Sequence, residues 1–134
     1  MSGFPVGDMP MTHILVVTDL ARSRAWYRDV LGAEIYGEYG GTSIVFGFGP
    51  AWLLVVTGGQ STPDKPGVTF APPDDPTRVS HAVTIRVPDC DAAYETLRGR
   101  GAEFLTSPHD WGAEVRCFFR DPDGHLFEIS EAKD

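Results

Sequence analysis

The stretch HILVVTDLARSRAWYRDVLGAEI runs from His13 to Ile35, and it is echoed by HAVTIRVPDCDAAYETLRGRGAEF, His81 to Phe104. Each copy opens on a histidine, continues as a short apolar run, breaks at polar residues and enters an amphipathic segment. Each closes on Gly-Ala-Glu followed by a large apolar residue. The two histidines lie 68 residues apart and the two Gly-Ala-Glu motifs 69 apart, so one inserted residue in the second copy reconciles the spacing. A chain that repeats itself at this period is built from two like units.

The local signals within each copy agree. Thr12 to Val17 is β-branched and apolar, as a strand requires. Thr18 and Asp19 are helix-capping types, Ala25, Trp26, Val30 and Leu31 recur near helical spacing, and Gly32 suits a helix stop. In the second copy Ala82 to Val87 reads as the strand, Pro88 and Asp89 open the helix, and Ala93, Tyr94 and Leu97 form its apolar face. Three strand-like runs follow each helix: 34–39, 42–48 and 51–57, then 103–106, 113–120 and 125–130. The turn DPDG, residues 121–124, joins the last two. The order β-α-β-β-β, twice, gives an α+β fold of two βαβββ modules forming a cupped mixed sheet around a central cavity. One domain spans residues 1–134, with module 1 at about 11–58, a Pro/Gly/Asp-rich linker at about 59–78 and module 2 at about 79–132. Phe70 reads as an anchor of that linker on the surface.

Composition narrows the partners. Hydrophobic residues make up 42% and charged residues 22%, ordinary values for a globular protein. The formal net charge of -8 argues against a nucleic-acid or anionic-membrane partner, either of which needs a basic surface. Cys90 and Cys117 show no disulfide framework and no zinc spacing, so they read as reduced thiols. The start MSGFPVGDMP has neither the basic opening nor the apolar run of a signal peptide. No segment approaches the ~18 apolar residues of a membrane span. A cytoplasmic location is expected.

Strand alternation then selects polar side chains. His13 shares a face with Leu15 and Val17, and His81 with Val83 and Ile85. Glu128 shares one with Leu126 and Ser130, inside a run otherwise apolar enough to be half-buried. A lone carboxylate there calls for a partner. If the repeat brings His13 and His81 face to face and Glu128 joins them, two imidazoles and one carboxylate make a metal site with open positions. His109 and His125 read as solvent-facing or as supports behind the ligands.

WYRDVLG (26–32) and DPDGHLFEIS (121–130), set in paired βαβββ copies, resemble the vicinal oxygen chelate superfamily over about residues 11–132. That group includes glyoxalase I, bleomycin-resistance and extradiol dioxygenase relatives. The resemblance implies ligands on the first and last strand of each module. His13, His81 and Glu128 match three of those positions, whereas AWLLVVT (51–57) offers no donor for the other. It therefore implies a metal-dependent enzyme holding Fe, Mn, Ni or Zn and acting on a small oxygen-rich molecule, most simply as an extradiol dioxygenase. A metal-dependent thiol transferase or lyase, a metal-free drug- or metabolite-binding protein, and an interaction module are the alternatives. Phe46, Phe48, Trp52, Trp111, Arg116 and Phe118 are expected to line the pocket. A homodimer is expected, with no nucleic acid and no membrane as partner. The metal site is then formed within one chain, or with His13 from one chain and His81 and Glu128 from the other.

Overall fold

The structure is a computed structural model and describes residues 3–133. The first module holds β1 (Thr12–Val17), α1 (Leu20–Asp29), β2 (Glu34–Tyr39), β3 (Ser43–Phe48) and β4 (Ala51–Thr57). The second holds β5 (Ala82–Arg86), α2 (Cys90–Gly99), β6 (Glu103–Phe104), β7 (His109–Asp110), β8 (Glu114–Arg120) and β9 (Leu126–Ala132). The sheets run β1-β4-β3-β2 and β5-β9-β8-β6, so the same order occurs twice, with β7 added against β8. Both sheets are mixed: β1 is parallel to β4 and β5 to β9, while the other neighbours are antiparallel. The expected strand 103–106 ends early at Phe104. Pro108 lies just beyond, and its missing N–H cannot serve a ladder. The chain re-pairs as β7, a strand the sequence reading missed.

The helices start where their caps say. Asp19 accepts a hydrogen bond from the Arg22 N–H at 3.1 Å, and Asp89 from the Ala92 N–H at 3.0 Å. They end at glycines: Gly32 has φ +83 and Gly101 φ +107, a left-handed turn that costs a residue with a side chain dearly. Because α1 and α2 start at residues 20 and 90, the structural repeat is 70 residues at the helices, not the 68 counted between histidines. His13 is therefore the counterpart of Val83, and the two histidines are near-neighbours rather than true equivalents.

One core serves both modules. Leu15, Val17, Ile44, Phe46, Leu53 and Val55 come from the first sheet, and Cys117, Phe119, Phe127 and Ile129 from the second. The side chain of α1 bridges them: Tyr27 stacks on Phe46 at 5.5 Å and meets Phe127 edge-on at 6.1 Å. Phe46, expected in the pocket, is fully buried in this core instead, because its position in β3 has the parity of Ile44. Losing a buried ring such as Phe127 would cost about 3–5 kcal/mol. Both cysteines are free and buried, and burial pushes the Cys117 thiol up to about 12. The linker is ordered through backbone bonds between Gly59 and Phe70, and the Lys65 ammonium sits 4.7 Å from the Phe70 ring centre. Among the described residues no helix is long and apolar enough to cross a membrane.

Candidate ligand-binding site

Each sheet turns one face to the shared core and the other away from it. On β9 the core takes Phe127 and Ile129, so Leu126, Glu128 and Ser130 point outward. Register then brings Thr84 of β5 and Phe118 of β8 beside Glu128, and Arg116 beside Ser130. These side chains form a connected polar row. Thr84 donates its hydroxyl to Glu128 at 2.7 Å, and the Arg116 Nε lies 3.7 Å from the other Glu128 oxygen. Arg116 also donates to Glu114 at 2.7 Å, Ser130 donates to Glu114, and Arg86 donates to the Ser130 hydroxyl at 2.8 Å. The Ser130 hydroxyl, and behind it the Arg116 guanidinium, holds the Glu114 carboxyl below its ordinary range. Two carboxylates and two guanidiniums alternate, so the row neutralises itself.

An aromatic flank borders the row. Trp111 is 60% exposed, its ring centre 5.2 Å from the Arg116 guanidinium and 4.3 Å from the His109 ring. His109 reaches this place because β7 pairs it with Arg116. Of the expected lining residues, Trp111, Arg116 and Phe118 gather here. Trp52 and Phe48 instead border a separate cavity of ≈ 400 Å³ on the first module. Glu114, Thr84 and Ser130 were not singled out from the sequence. Their only signal was their alternate spacing with Arg116 and Glu128 on strands.

The histidines lie elsewhere. His13 and His81 do meet, with ring centres 5.5 Å apart. Yet His13 has the parity of Leu15 and Val17 and pairs in register with Leu53, all core residues, and His81 has the parity of Val83 and Ile85. Glu128 has the opposite parity. Sheet alternation thus sets Glu128 on the face opposite His13, and His81 stands exposed just before β5. Among the described residues no group of three or more His, Cys, Asp or Glu side chains is placed to hold a metal ion. The donor set does not fit the expected cofactor. His125 is not solvent-facing either: its Nε2 lies 2.7 Å from the Val16 carbonyl oxygen, locking the second module to β1.

Paired βαβββ units, with matching mixed sheets packed on one core, define the fold class of this chain. The chain belongs to the Glyoxalase/Bleomycin resistance protein/Dioxygenase superfamily, whose family description matches residues 10–129. It is similar to a glyoxalase/bleomycin resistance protein/dioxygenase from Nocardioides, at 23% identity and a TM-score of 0.79, covering 100% of this chain and 87% of the other. It is similar to a lactoylglutathione lyase from Agrobacterium tumefaciens, at 21% identity and a TM-score of 0.71, covering 92% of each chain. A mutant of the fosfomycin resistance protein FosX from Listeria monocytogenes, solved with Mn(II) and a dihydroxypropylphosphonic acid, matches at 23% identity and a TM-score of 0.62, covering 89% of this chain and 86% of the other. At these identities the likeness carries the fold and leaves the reaction open.

Proposed function

We propose that this chain is a small-molecule-binding protein of the superfamily that works without a resident metal ion. The observation that carries this reading is the state of Glu128: it is engaged by Thr84 and Arg116 and is grouped with no pair of His, Cys, Asp or Glu side chains placed to share a metal ion among the described residues. A carboxylate already neutralised by a guanidinium has little left for a cation. What the outer face offers is recognition, with exposed Trp111 for stacking and a hydrogen-bonding row for polar groups. The net charge of -8 favours a cationic, bleomycin-like ligand by steering it to the surface. The homodimer and the cytoplasmic location belong to the same reading. The open outer face of one chain would be closed by the apolar outer face of a second.

Elemental analysis after purification without chelator is the first test, followed by titration with metal-free bleomycin monitored by tryptophan fluorescence. We expect substoichiometric metal, micromolar binding unaffected by EDTA, and a loss of affinity of about tenfold in Trp111→Ala. Stoichiometric metal that is lost in Glu128→Gln, together with dioxygen uptake on catechols, would overturn the reading in favour of a metal-dependent enzyme.

A further inference from the structure

The chain has two cysteines, and the fold brings them together. They lie 27 residues apart (117 − 90) and on different elements. Cys90 is the first residue of α2, and Cys117 is at the middle of β8. Cys117 pairs in register with Ile129 of β9, and the Cys90 Sγ donates to the carbonyl oxygen of that same Ile129 at 3.8 Å. The two thiols converge on one residue and share a hydrogen bond with each other. Glu131 of β9 holds the start of α2 over the sheet by accepting from the Cys90 N–H at 2.9 Å. Packing asks only for small apolar side chains at these places, and alanine or valine would supply them. Two sulfurs in contact add a capacity that packing does not use.

Cys90 and Cys117 are 0% and 2% exposed. The cover over Cys90 is short: Pro88, Asp89 and Asp91 on either side of it are exposed. Cys90 also belongs to the first turn of its helix, and helix ends open at the least cost. Opening that turn uncovers Cys90, while β8 stays fixed between β9 and β6. Burial raises the Cys90 thiol, the hydrogen bond from Cys117 opposes the rise, and the Asp91, Glu131 and Asp89 charges add to it. Burial, and then Cys90 itself, push the Cys117 thiol up to about 12, with smaller contributions from Asp91 and Glu128. Cys90 is therefore the thiol that ionises first and reacts first.

We infer that Cys90 and Cys117 form a dithiol oxidation site, closed by exchange with a small disulfide of the glutathione class into a crosslink between α2 and β8. The Cys90 thiolate attacks one sulfur of the small disulfide and expels the other half, which takes up the proton that Cys90 released. The Cys117 thiolate then attacks the Cys90 sulfur of this mixed disulfide and expels the second half, which takes up the proton of Cys117. The chain loses two hydrogens with their electrons, and the small disulfide leaves as two thiols. The crosslink closes the loop from 90 to 117 and fastens α2 to its own sheet, which stabilises the second module. Cys117 has the parity of Phe119 and faces the core, away from Arg116 and Phe118, so the outer row keeps its place. The site is independent of the ligand reading above.

The test takes the reduced full chain, without denaturant, into millimolar glutathione disulfide at about pH 7, 8 and 9. The expected product is about 2 Da lighter, carries no glutathione, runs as a single chain without reductant and yields one peptide pair joined from Cys90 to Cys117. Its formation should quicken roughly tenfold per pH unit, because the thiolate attacks and both thiols start protonated. The thermal midpoint should rise by about 4 °C or more and fall back on addition of dithiothreitol. Cys117→Ala should stop with one glutathione retained on Cys90, and Cys90→Ala should stay unmodified under the same conditions. The wild-type mass and peptide map decide the matter even where a substitution unfolds the chain. An unchanged mass, a chain carrying two glutathiones, a crosslink between chains, or a crosslink that forms only in urea would each overturn the inference.

Discussion

Asp121 is 4% exposed and sits in the seam between the modules. It accepts a hydrogen bond from the Tyr27 hydroxyl at 2.7 Å and from the backbone N–H groups of Asp123 and His125 at 3.0 and 2.8 Å. Burial raises its carboxyl above the ordinary range even though these bonds oppose the shift. Burial, and then the Asp121 charge, likewise lifts the Tyr27 phenol well above its usual value. The sign for stability follows. An acid with a raised folded pKa binds its proton in the native chain before the unfolded chain does. Its ionised form weighs against folding at neutral pH, and that cost fades as pH falls through the folded pKa. Asp121→Asn keeps the shape and removes the titration. The wild type should therefore gain stability relative to Asp121→Asn as pH falls from neutral toward the ordinary aspartate range near about 4, measured by urea denaturation. Parallel changes in the two proteins would remove Asp121 as the source.

At the scale of elements, the turn after β8 does more than reverse the chain. Its hairpin role was legible in DPDG, and Gly124 at φ +95 supplies the left-handed residue. Its second role was not legible. Asp123 reaches back more than a hundred residues in sequence to accept from the Thr18 N–H at 3.0 Å and the Thr18 hydroxyl at 2.8 Å, with the Arg22 guanidinium 3.5 Å away. His125 binds the Val16 carbonyl, and Asp121 binds Tyr27 of α1. Three alternate residues of one turn thus latch the second module onto β1 and α1. Asp123→Ala removes an almost fully buried carboxylate from three donors and should cost about 2 kcal/mol, measured as a drop in the urea midpoint. The exposed Arg28–Asp29 pair, by contrast, should leave the urea midpoint essentially unchanged when either residue is replaced.

Across the whole molecule, two modules of one topology carry unlike outer faces. The first presents Ile14, Tyr36, Trp52 and Leu54, and the second presents Arg86, Glu114, Arg116 and Glu128. Ile14 is 48% exposed, which is costly for a lone chain in water and fits a face that a partner covers. Sedimentation velocity should report a dimer, and Ile14→Asp should shift it to monomer and weaken bleomycin binding with it. A wild-type monomer at high concentration would sink the pairing.

The sequence alone determined the two βαβββ units and their helix boundaries, because hydrophobic period, caps and glycines act within a few residues of where they are written. The short β6 and the added β7 escaped it, since pairing with β8 is a choice among distant partners. The histidines show the division most clearly. Sequence brought His13 and His81 together, and they do meet, but Glu128 was joined to them on the strength of spacing and resemblance. Only the tertiary structure decided that the core takes the odd-numbered side of β1, β5 and β9. Side chains alternate strictly along a strand, so that one packing decision sends His13 to one face and the Glu128 carboxylate to the other.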